Sequence, residues 1–392
     1  MRPGNPEFEF LCSIARPRPD LETARRVLGG GVDNGALFAL AARHGVRPQL
    51  AAGLSKLDDE ASIPAAMREQ IEAFRRLHLV RSLTIAGELA SVASSLADAG
   101  IAFAAFKGPV LALQLYGDIA HREYADIDLL VQAARAEAAE RVLASLGYGN
   151  RQGNRAFRKA FLWHQRQVEL TRPGFDSSVD LHWHFTADPL PFPLEPDEVW
   201  STLSRVTIGG RSVPALAGEE LALLLAGHGT KEGWQNLVWV CDFAMLAASS
   251  PQLDWSRIFD RAQRRGSGTS VLLAFLMAGR LLDTPMPAVI ATELKRRRDL
   301  ARVGEQLVFG MTSALEEGAK RPHLQDALLC DRQRDRVWAG VKLTLMPTPG
   351  DHEAMKLPPA LWPLYWLTRP FRLVRKALSL RASGLKGGRR RA

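Results

Sequence analysis

The spacing of apolar residues changes twice along the chain, and each change predicts a change of secondary structure. In residues 7–98, apolar residues recur every three or four positions, which is the spacing of an amphipathic helix. Gly100 ends this pattern, and the short apolar run at 101–106 is typical of a buried strand. Helical spacing returns at 218–345. The chain is therefore predicted to place a mixed α/β segment between two helical regions.

Strand and helix signals alternate within the central segment. Pro109 suits the first turn of a helix with the sequence VLALQLYG. The strand DIDLLV and the helix ARAEAAERVLASLG follow it. Two more strands are predicted at 166–171 and 179–185, and the turn RPGFDSS between them indicates a hairpin.

Breaks in these patterns divide the chain into four stretches. They are an N-terminal helical region (1–98), a mixed core (99–212), a C-terminal helical domain (213–345), and a Pro-rich linker (346–359) that leads into a basic tail, the two together spanning 346–392. The tail has Pro370 at the predicted start of a helix, on which Phe371, Val374 and Leu378 form an apolar face. Such a helix can lie on an anionic membrane or contact a partner. Packing against the protein with its arginines in water is the favoured interpretation.

The charge and composition of the chain exclude several classes of protein. The net charge is +9, but residues 369–392 contain nine Lys or Arg and no acid, which leaves 42 basic and 42 acidic residues elsewhere. A neutral body disfavours a nucleic-acid partner, which calls for a basic channel. The three cysteines form no pair motif, which excludes a disulfide scaffold and a cysteine-based zinc site.

Two further features bear on the location of the protein. The first residues, MRPGNPEFEF, contain no apolar segment of the kind found in secretory signals. The most apolar stretch, 270–282, is too short to span a membrane and contains Arg280. These features predict a cytoplasmic protein.

Two aspartates interrupt the apolar strand DIDLLV. Asp126 and Asp128 are two residues apart, so on a strand they share one face and lie about 7 Å apart along the chain. Ile127, Leu129 and Val131 share the other face, which suits a core. Two carboxylates this close repel each other, and a divalent cation offsets that repulsion. Oxygen-only ligands suit Mg²⁺, which binds one or two carboxylates together with substrate phosphates.

A Lys-Gly pair precedes this strand. Lys107 and Gly108 lie between a predicted strand and a predicted helix. A helix N-terminus presents free N–H groups and the positive end of a dipole, both of which favour phosphate binding. Gly108 lets a phosphate approach the backbone closely, and Lys107 adds a positive charge. A tight turn that needs Gly for steric reasons is the alternative interpretation.

A later strand offers a third carboxylate. In SSVDLHWHF, Asp180, His182 and His184 fall on one face, opposite a fully apolar face. The preceding strand, QRQVELT, offers Glu169 in the same way. Either acid completes a set of three, and Asp180 is preferred because its strand alternates more cleanly. The two histidines are predicted to be structural groups or substrate contacts, since no fourth soft ligand for a zinc-like ion lies nearby.

These residues resemble a known family. A Gly-containing strand-to-helix turn, Asp-x-Asp on a neighbouring strand and an acid on a later strand resemble the DNA polymerase β-like nucleotidyltransferase superfamily. The stretches KGPVLALQLYGDIAHREYADIDLLV, VDLHWHF and GHGTKEGWQNLVWVCDFAMLAAS are similar to the bacterial family of uncharacterised nucleotidyltransferases. The resemblance covers residues 80–250. It implies an α+β fold, in which a polymerase β-like core (a small mixed sheet with flanking helices) is framed by N- and C-terminal helical regions.

The resemblance also implies a reaction. A nucleotidyl group would pass from an NTP to an acceptor hydroxyl, with release of pyrophosphate. By this analogy Asp126 and Asp128 hold two Mg²⁺ ions, for which Mn²⁺ is a substitute. Asp180 holds the second ion or accepts the proton of the hydroxyl. Lys107 and Gly108 bind the β- and γ-phosphates.

The turn departs from the superfamily pattern. The superfamily carries Gly-Ser or Gly-Gly there with a shorter gap to the Asp pair, whereas this chain has Lys-Gly-Pro and a long gap. The triphosphate contacts must then come from other groups, among which Lys107 is the obvious candidate. Arg122, four residues before the Asp pair, is expected by analogy to neutralise charge on the transferred or leaving phosphates.

The segment AGHGTKEGW offers residues for the other side of a cleft. Its three glycines predict a loop between helices, and such loops often carry binding residues. Here Lys231 is a candidate nucleotide-binding residue and His228 a candidate substrate contact. Trp234 and Asp242 are further candidates, with the alternative that Trp234 packs a helix and Asp242 pairs with a cation such as Lys231.

Three functions follow from these residues. The first is a Mg²⁺-dependent nucleotidyltransferase that moves an NMP, by default AMP from ATP, to a hydroxyl of a small molecule, peptide or protein. The second is a nucleotide-binding scaffold without turnover, and the third is an enzyme directed at tRNA or another nucleic acid through the basic tail. The three candidate acids favour an enzyme, and the neutral body disfavours a nucleic-acid acceptor.

Overall fold

The computed structural model shows a mixed α+β protein, which confirms the predicted fold class. It describes residues 5–57, 63–150, 155–187, 190–312 and 330–388. The basic residues at 389–391, which belong to the predicted tail, lie outside the described residues.

Five helices form the N-terminal part of the described chain. They are α1 (Pro6–Ile14), α2 (Leu21–Gly29), α3 (Asn34–Arg43), α4 (Arg47–Leu54) and α5 (Ala65–Asp98). The first three begin where an Asn or Asp side chain accepts a backbone N–H of the first turn, and those residues are Asn5, Asp20 and Asp33. The helical pattern predicted for 7–98 is therefore confirmed as several capped helices within the described residues.

A six-stranded mixed sheet occupies the centre. Its strands are β1 (Phe103–Ala105), β2 (Asp126–Val131), β3 (Gln167–Thr171), β4 (Ser178–His182), β5 (Ser204–Ile208) and β6 (Arg211–Ala215). They lie in the order β3-β4-β2-β1-β6-β5. The pairs β2–β4 and β1–β6 are parallel, and the other neighbouring pairs are antiparallel.

The sequence predicted one hairpin of this sheet and missed the other. The hairpin of β3 and β4 is confirmed, although β4 ends at His182, three residues before the predicted end. The hairpin of β5 and β6 turns at Gly209 and Gly210, which both have positive φ. A Gly-Gly pair between two short β-prone runs is the signal that would have identified it.

Helices connect the strands and cover the sheet. The connecting helices are α6 (Gly108–Tyr116) and α7 (Ala136–Ser145), and a helical segment before β3 contains a π turn, Arg158–Leu162. Ile127, Leu129 and Val131 pack with apolar residues of α5 and α7. Leu130, on the opposite face of β2, packs in a second core that the C-terminal helices share. The face with Ile127, Leu129 and Val131 is therefore buried, as the alternation predicted, and Leu130 on the other face is buried in a different core.

Helices follow the sheet in the C-terminal part. They are α8 (Gly218–Lys231), α9 (Leu237–Ser249), α10 (Trp255–Arg264), α11 (Gly268–Leu282), α12 (Ala288–Arg296) and α13 (Arg298–Thr312). The loop predicted at AGHGTKEGW is wrong for residues 226–231, because α8 continues through His228 to Lys231. Residues 232–234 do form a turn before α9. Gly227 and Gly229 occur within α8 because a Cβ at either position would lie under 3.0 Å from the rings of Phe192 or Trp234.

The tail is also helical. Its helices are α14 (Gln333–Leu345), α15 (Pro349–Ala354) and α16 (Tyr365–Gly388). Pro370 lies inside α16, so the predicted start of this helix is wrong by five residues. The helix begins earlier because Tyr365 is anchored: its hydroxyl accepts the N–H of Leu357 and donates to the carbonyl of Met355. The α15 helix lies within the Pro-rich stretch that was predicted to be a linker.

His44 connects the N-terminal helices to the C-terminal ones. Its Nδ1 accepts the backbone N–H of Leu237 at 3.2 Å, and its Nε2 lies 3.2 Å from the carbonyl oxygen of Met311. A carbonyl only accepts hydrogen bonds, so these contacts require the neutral ring protonated at Nε2. Burial lowers the pKa of His44 to about 4, which keeps the ring neutral.

No helix in the described part of the chain combines the length and apolar character that crossing a bilayer requires.

Candidate active site

Three acidic side chains form a row across three neighbouring strands. Asp128 of β2 is paired with Asp180 of β4, and Asp180 is paired with Glu169 of β3. Residues paired across a sheet point to the same face, so the three carboxylates share one side. Asp126 lies on this face as well, two residues before Asp128. Sheet pairing therefore brings Asp126, Asp128 and Asp180 to one face, although up to 54 positions separate them in the sequence.

Asp128, at the inner end of the row, is its most buried member. Its side chain is 3% exposed, and its Oδ1 lies 3.2 Å from Lys107 Nζ and 3.2 Å from His182 Nε2. Its other oxygen, Oδ2, is buried and has no hydrogen-bond partner among the described residues. The same is true of Asp180 Oδ1 and of His182 Nδ1. Buried polar atoms without partners are unusual in proteins, and a cluster of three at one place fits a bound ion or water.

These atoms fit a divalent cation. Ligand atoms of Asp128, Asp180 and His182 lie within 4.8 Å of one another. His182 donates through Nε2 to the Asp128 carboxylate, and burial lowers the pKa of His182, so the neutral ring has its lone pair at Nδ1. The site thus offers two carboxylates and one imidazole nitrogen, which are ligands that divalent metals use. Asp126 lies next to this group on the same strand.

The carboxylates of the site differ in acidity. Burial alone would raise the pKa of Asp128, but the Lys107 ammonium and the hydrogen bond from His182 outweigh it and hold that pKa well below its usual range. Burial and the Asp128 charge raise the pKa of Asp126. Burial, with the charges of Asp128, Asp126 and Glu169, raises the pKa of Asp180 to about 7. Asp128 is therefore ionised at neutral pH, whereas Asp180 is partly protonated and partly ionised at that pH.

The Lys-Gly turn lies directly beside the start of β2. Lys107 is the N-cap residue of α6, and Gly108, the first residue of that helix, has φ 57°. A Cβ at Gly108 would lie 3.0 Å from the carbonyl oxygen of Asp126. The conformation and the close approach both require Gly. The N-terminus of α6 is thereby held next to the aspartates, as the strand-to-helix turn predicted.

The end of α8 reaches the same site from the C-terminal helices. Burial lowers the pKa of His228 well below its usual range, and the nearby charges of Lys107 and Lys231 lower it further. The negative charge of Asp128 raises the pKa of His228, and the positive charge of Lys231 lowers the pKa of His182. His228 and Lys231 are therefore coupled electrostatically to this site. Their roles in binding stay predictions.

Two other candidates contact residues outside the row of acids, and Glu169 is the outermost acid of that row. His184 follows the end of β4, and its Nε2 lies 2.9 Å from Glu195 Oε2. Trp234 is buried in the core, and its Nε1 donates to Thr230 Oγ1. This placement supports the packing interpretation of Trp234. Glu169 is the most exposed acid of the row, since its side chain faces solvent on β3.

Arg122 forms an ion pair with one of the C-terminal helices. Its guanidinium is buried and binds both oxygens of Asp242 on α9, with nitrogen–oxygen distances of 2.9 to 3.1 Å. The hydroxyl of Tyr116 donates to Asp242 Oδ1 at 3.0 Å. Asp242 thus pairs with Arg122 and not with Lys231, the partner offered from the sequence. The contact of Arg122 with phosphates stays a prediction.

Tyr116 is the residue of this cluster that sequence reasoning missed. It lies at the end of α6, 126 positions before the carboxylate it binds. The pattern around it is that of an apolar helix, so no local signal indicates its hydrogen bond.

The comparison with known families agrees with this geometry. A family model described as uncharacterised nucleotidyltransferase matches residues 30–283, which include every candidate site residue named above. The match begins before α3 and ends after α11, so it is longer than the stretch on which the resemblance was based. No curated protein matches the chain.

Proposed function

The chain belongs to the uncharacterised nucleotidyltransferase family, and we propose that it transfers an NMP from an NTP to an acceptor hydroxyl in a reaction that requires a divalent cation. The observation that carries this proposal is the buried, unpartnered pair of oxygens, Asp128 Oδ2 and Asp180 Oδ1, among the described residues. Ionised oxygens are costly to bury without a partner, and a cation supplies one. ATP is proposed as the donor because it is the commonest NTP.

The proposed metal ligands are the carboxylates of Asp126, Asp128 and Asp180, with His182 beside them. Mg²⁺ is the proposed ion and Mn²⁺ a substitute, with two ions by analogy with the superfamily. When bound, such ions neutralise the triphosphate and polarise the phosphoryl oxygens. Lys107, on Asp128 Oδ1 at 3.2 Å, balances part of the carboxylate charge before the nucleotide binds.

General base is the alternative role of Asp180. In the reaction the acceptor oxygen forms a bond to the α-phosphorus, the bond from that phosphorus to pyrophosphate breaks, and the proton of the hydroxyl passes to a base. A base works best when its pKa is close to the working pH. In the metal-free protein the pKa of about 7 for Asp180 meets this condition, whereas the lowered pKa of Asp128 does not.

Lys107 and the N-terminus of α6 are positive groups next to the acids. Lys231 adds a positive charge at the end of α8, where the ring of His228 is neutral. We propose that Lys107, Gly108 and Lys231 bind the phosphates of the NTP, because cations and helix N-termini both attract phosphate. His228, and His182 through its Nδ1, are then left to contact the acceptor or the metal.

Calorimetric titration of each NTP tests this proposal. Wild type, Asp128→Asn and Asp98→Asn are titrated with and without Mg²⁺; Asp98 is an exposed aspartate at the end of α5 and makes the matched control. We expect one NTP to bind wild type and the control only with Mg²⁺, and binding to Asp128→Asn to be at least about a hundredfold weaker because the ionised ligand is gone. Absence of NTP binding by wild type with any divalent metal would contradict the proposal. Tight binding without any release of pyrophosphate would favour the nucleotide-binding scaffold.

A further inference from the structure

Helix α16 packs on the protein through its basic face. Arg369 is buried, and its guanidinium binds Asp351 Oδ2 at 2.7 Å and the carbonyl oxygen of Leu343 at 2.9 and 3.0 Å. Arg372 binds the other oxygen of Asp351 at 2.5 Å. Tyr365, on the same face, is buried beside Phe161. Asp351 itself is 2% exposed, so the two arginines compensate a buried charge.

The opposite face of α16 is apolar and exposed. Leu367, Phe371, Val374 and Leu378 follow one another at intervals of four, three and four residues, so they form one stripe along the helix. Their exposed fractions are 68%, 78%, 60% and 61%. A surface helix normally buries its apolar side and exposes its charges. In α16 the arrangement is reversed, so the predicted packing of this apolar face with the arginines in water is wrong. The stripe is exposed among the residues that the structure describes.

The positive charge on α16 indicates which kind of partner can bind the apolar stripe. Residues 365–388 contain six Lys or Arg and no acid, and two of the six, Arg369 and Arg372, bind Asp351. Arg375 and Lys376 lie exposed next to the stripe. A second copy of this chain on the stripe would bring like charges together, whereas an anionic surface attracts them.

The adjacent helix adds exposed apolar surface. Helix α14 contacts α16 through the bonds from Arg369 to Leu343. Its residues Val337, Trp338 and Val341 are all exposed. Aromatic residues with an apolar body and a polar tip, such as Trp338, suit the boundary between lipid headgroups and acyl chains.

We propose that α16 docks the protein on an anionic lipid surface, with the stripe Leu367, Phe371, Val374 and Leu378 inserted at the level of the headgroups and with the basic residues beside it facing anionic lipids. Insertion of apolar side chains combined with electrostatic attraction is the mode by which amphipathic helices bind membranes without spanning them. This mode leaves the packing of Arg369 and Arg372 on Asp351 unchanged.

Vesicle flotation of the full chain tests the proposal. The vesicles consist of phosphatidylcholine alone or of phosphatidylcholine mixed with phosphatidylserine. We expect wild type to float with the mixed vesicles and not with pure phosphatidylcholine. Phe371→Glu is expected to weaken binding by at least about tenfold because it removes a large apolar side chain from the stripe. Arg375→Gln together with Lys376→Gln is expected to weaken it by about 25-fold, roughly fivefold per lost charge.

Leu77→Glu is the matched control. Leu77 is 74% exposed on α5, so the variant makes the same kind of change on an exposed apolar residue of another helix. We expect this variant to float like wild type, and circular dichroism checks that all variants are folded. The proposal fails if wild type stays in solution with both kinds of vesicle, or if Leu77→Glu loses binding as strongly as Phe371→Glu. It also fails if sedimentation velocity shows a dimer that Phe371→Glu dissociates, since the stripe is then covered by a second copy.

Discussion

Asp128 and Asp180 occupy paired positions on two parallel strands, and both carboxylates point to the same face of the sheet. Their Cα atoms belong to neighbouring strands that lie about 4.8 Å apart, so neither charge can move away from the other without disturbing the sheet. The repulsion is relieved by a proton on Asp180 or by a cation. Protonation of Asp180 and binding of a cation can each be tested by experiment.

The first prediction concerns Asp180→Asn in the metal-free protein. The pKa of Asp180 is about 7 in the folded state and about 3.9 when unfolded. The folded state therefore holds this proton more tightly, and the free energy of unfolding of wild type falls as the pH rises from about 4 to about 7. Asp180→Asn removes that fall, and we expect the variant to be more stable than wild type at pH 8 by about 1–4 kcal/mol.

Urea unfolding in EDTA at pH 5 and pH 8 measures this difference. Added Mg²⁺ is expected to stabilise wild type and not Asp180→Asn, because the variant lacks a charged ligand. An identical pH dependence in the two proteins would contradict the raised pKa of Asp180.

The second prediction concerns the buried pair of Arg122 and Asp242. Arg122→Met leaves the buried carboxylate of Asp242 without its cation, with only the hydrogen bond from Tyr116, so the free energy of unfolding is expected to fall by about 3–5 kcal/mol. The double variant Arg122→Met/Asp242→Leu removes both charges and is expected to recover most of that loss. Urea unfolding of the three proteins measures the effect.

The same double variant tests whether Arg122 contacts phosphates. We expect it to bind NTP about as tightly as wild type, since the guanidinium is occupied by Asp242 and by the carbonyl oxygen of Glu123. A double variant as stable as wild type that has lost NTP affinity would instead support the role predicted for Arg122 from the sequence.

The third prediction concerns Gly108→Ala. A Cβ there meets the carbonyl oxygen of Asp126 at 3.0 Å, and the positive φ disfavours any L side chain. We expect the free energy of unfolding to fall by about 1–3 kcal/mol and metal-dependent NTP binding to weaken, because the turn and the start of β2 must separate. Gly87→Ala is the control: a methyl group added to Gly87, in α5, would meet no atom of a described residue within 4 Å, so a small gain of up to about 1 kcal/mol is expected. Calorimetric melting compares the two, and equal effects would show that the turn has room for a side chain.

The fourth prediction concerns acid unfolding and His44. The pKa of His44 is about 4 in the folded state and about 6.5 when unfolded. The unfolded state takes up the proton first, so the free energy of unfolding falls as the pH drops from about 6.5 to about 4, by up to about 3 kcal/mol. His44→Gln keeps a polar side chain without this titration.

Unfolding curves between pH 4 and 7 provide the test. We expect the stability of His44→Gln to depend less steeply on pH than that of wild type, although the variant is less stable at pH 7 because it loses packing in a buried site. Parallel pH profiles would mean that His44 does not bind the helices together as a neutral ring.

The sequence predicted the site strands well because their information is local. In DIDLLV and SVDLH, apolar and polar residues alternate, and this alternation places Asp126, Asp128 and Asp180 on the polar faces of strands whose other faces are apolar. Which strands become neighbours is not local information. The parallel pairing of β2 with β4 spans more than 50 positions and depends on packing of the whole sheet. The choice between Asp180 and Glu169 needed that pairing, because only the structure shows Glu169 one strand further out.

The features that the sequence missed depend on distant partners. Asp242 looks like a polar residue of an apolar helix until Arg122, 120 positions earlier, is seen beside it. Pro370 marks a helix start by local rules, yet the hydrogen bonds of Tyr365 and the ion pairs of Arg369 fix the helix earlier. In each case a tertiary contact decides what a local preference leaves open.

The bonds from Arg122 to Asp242 and from His44 to Leu237 also determine how this protein can be divided. Both cross the boundary that the sequence predicts near residue 212. A fragment ended there for expression, or joined there to the helices of a relative, would contain an arginine and a histidine whose partners had been removed. Because His44 also binds the carbonyl oxygen of Met311, a chimera built to exchange acceptor preference must keep residues 44–311 from one parent. The exchange is then made in side chains of α8 and not at a domain border.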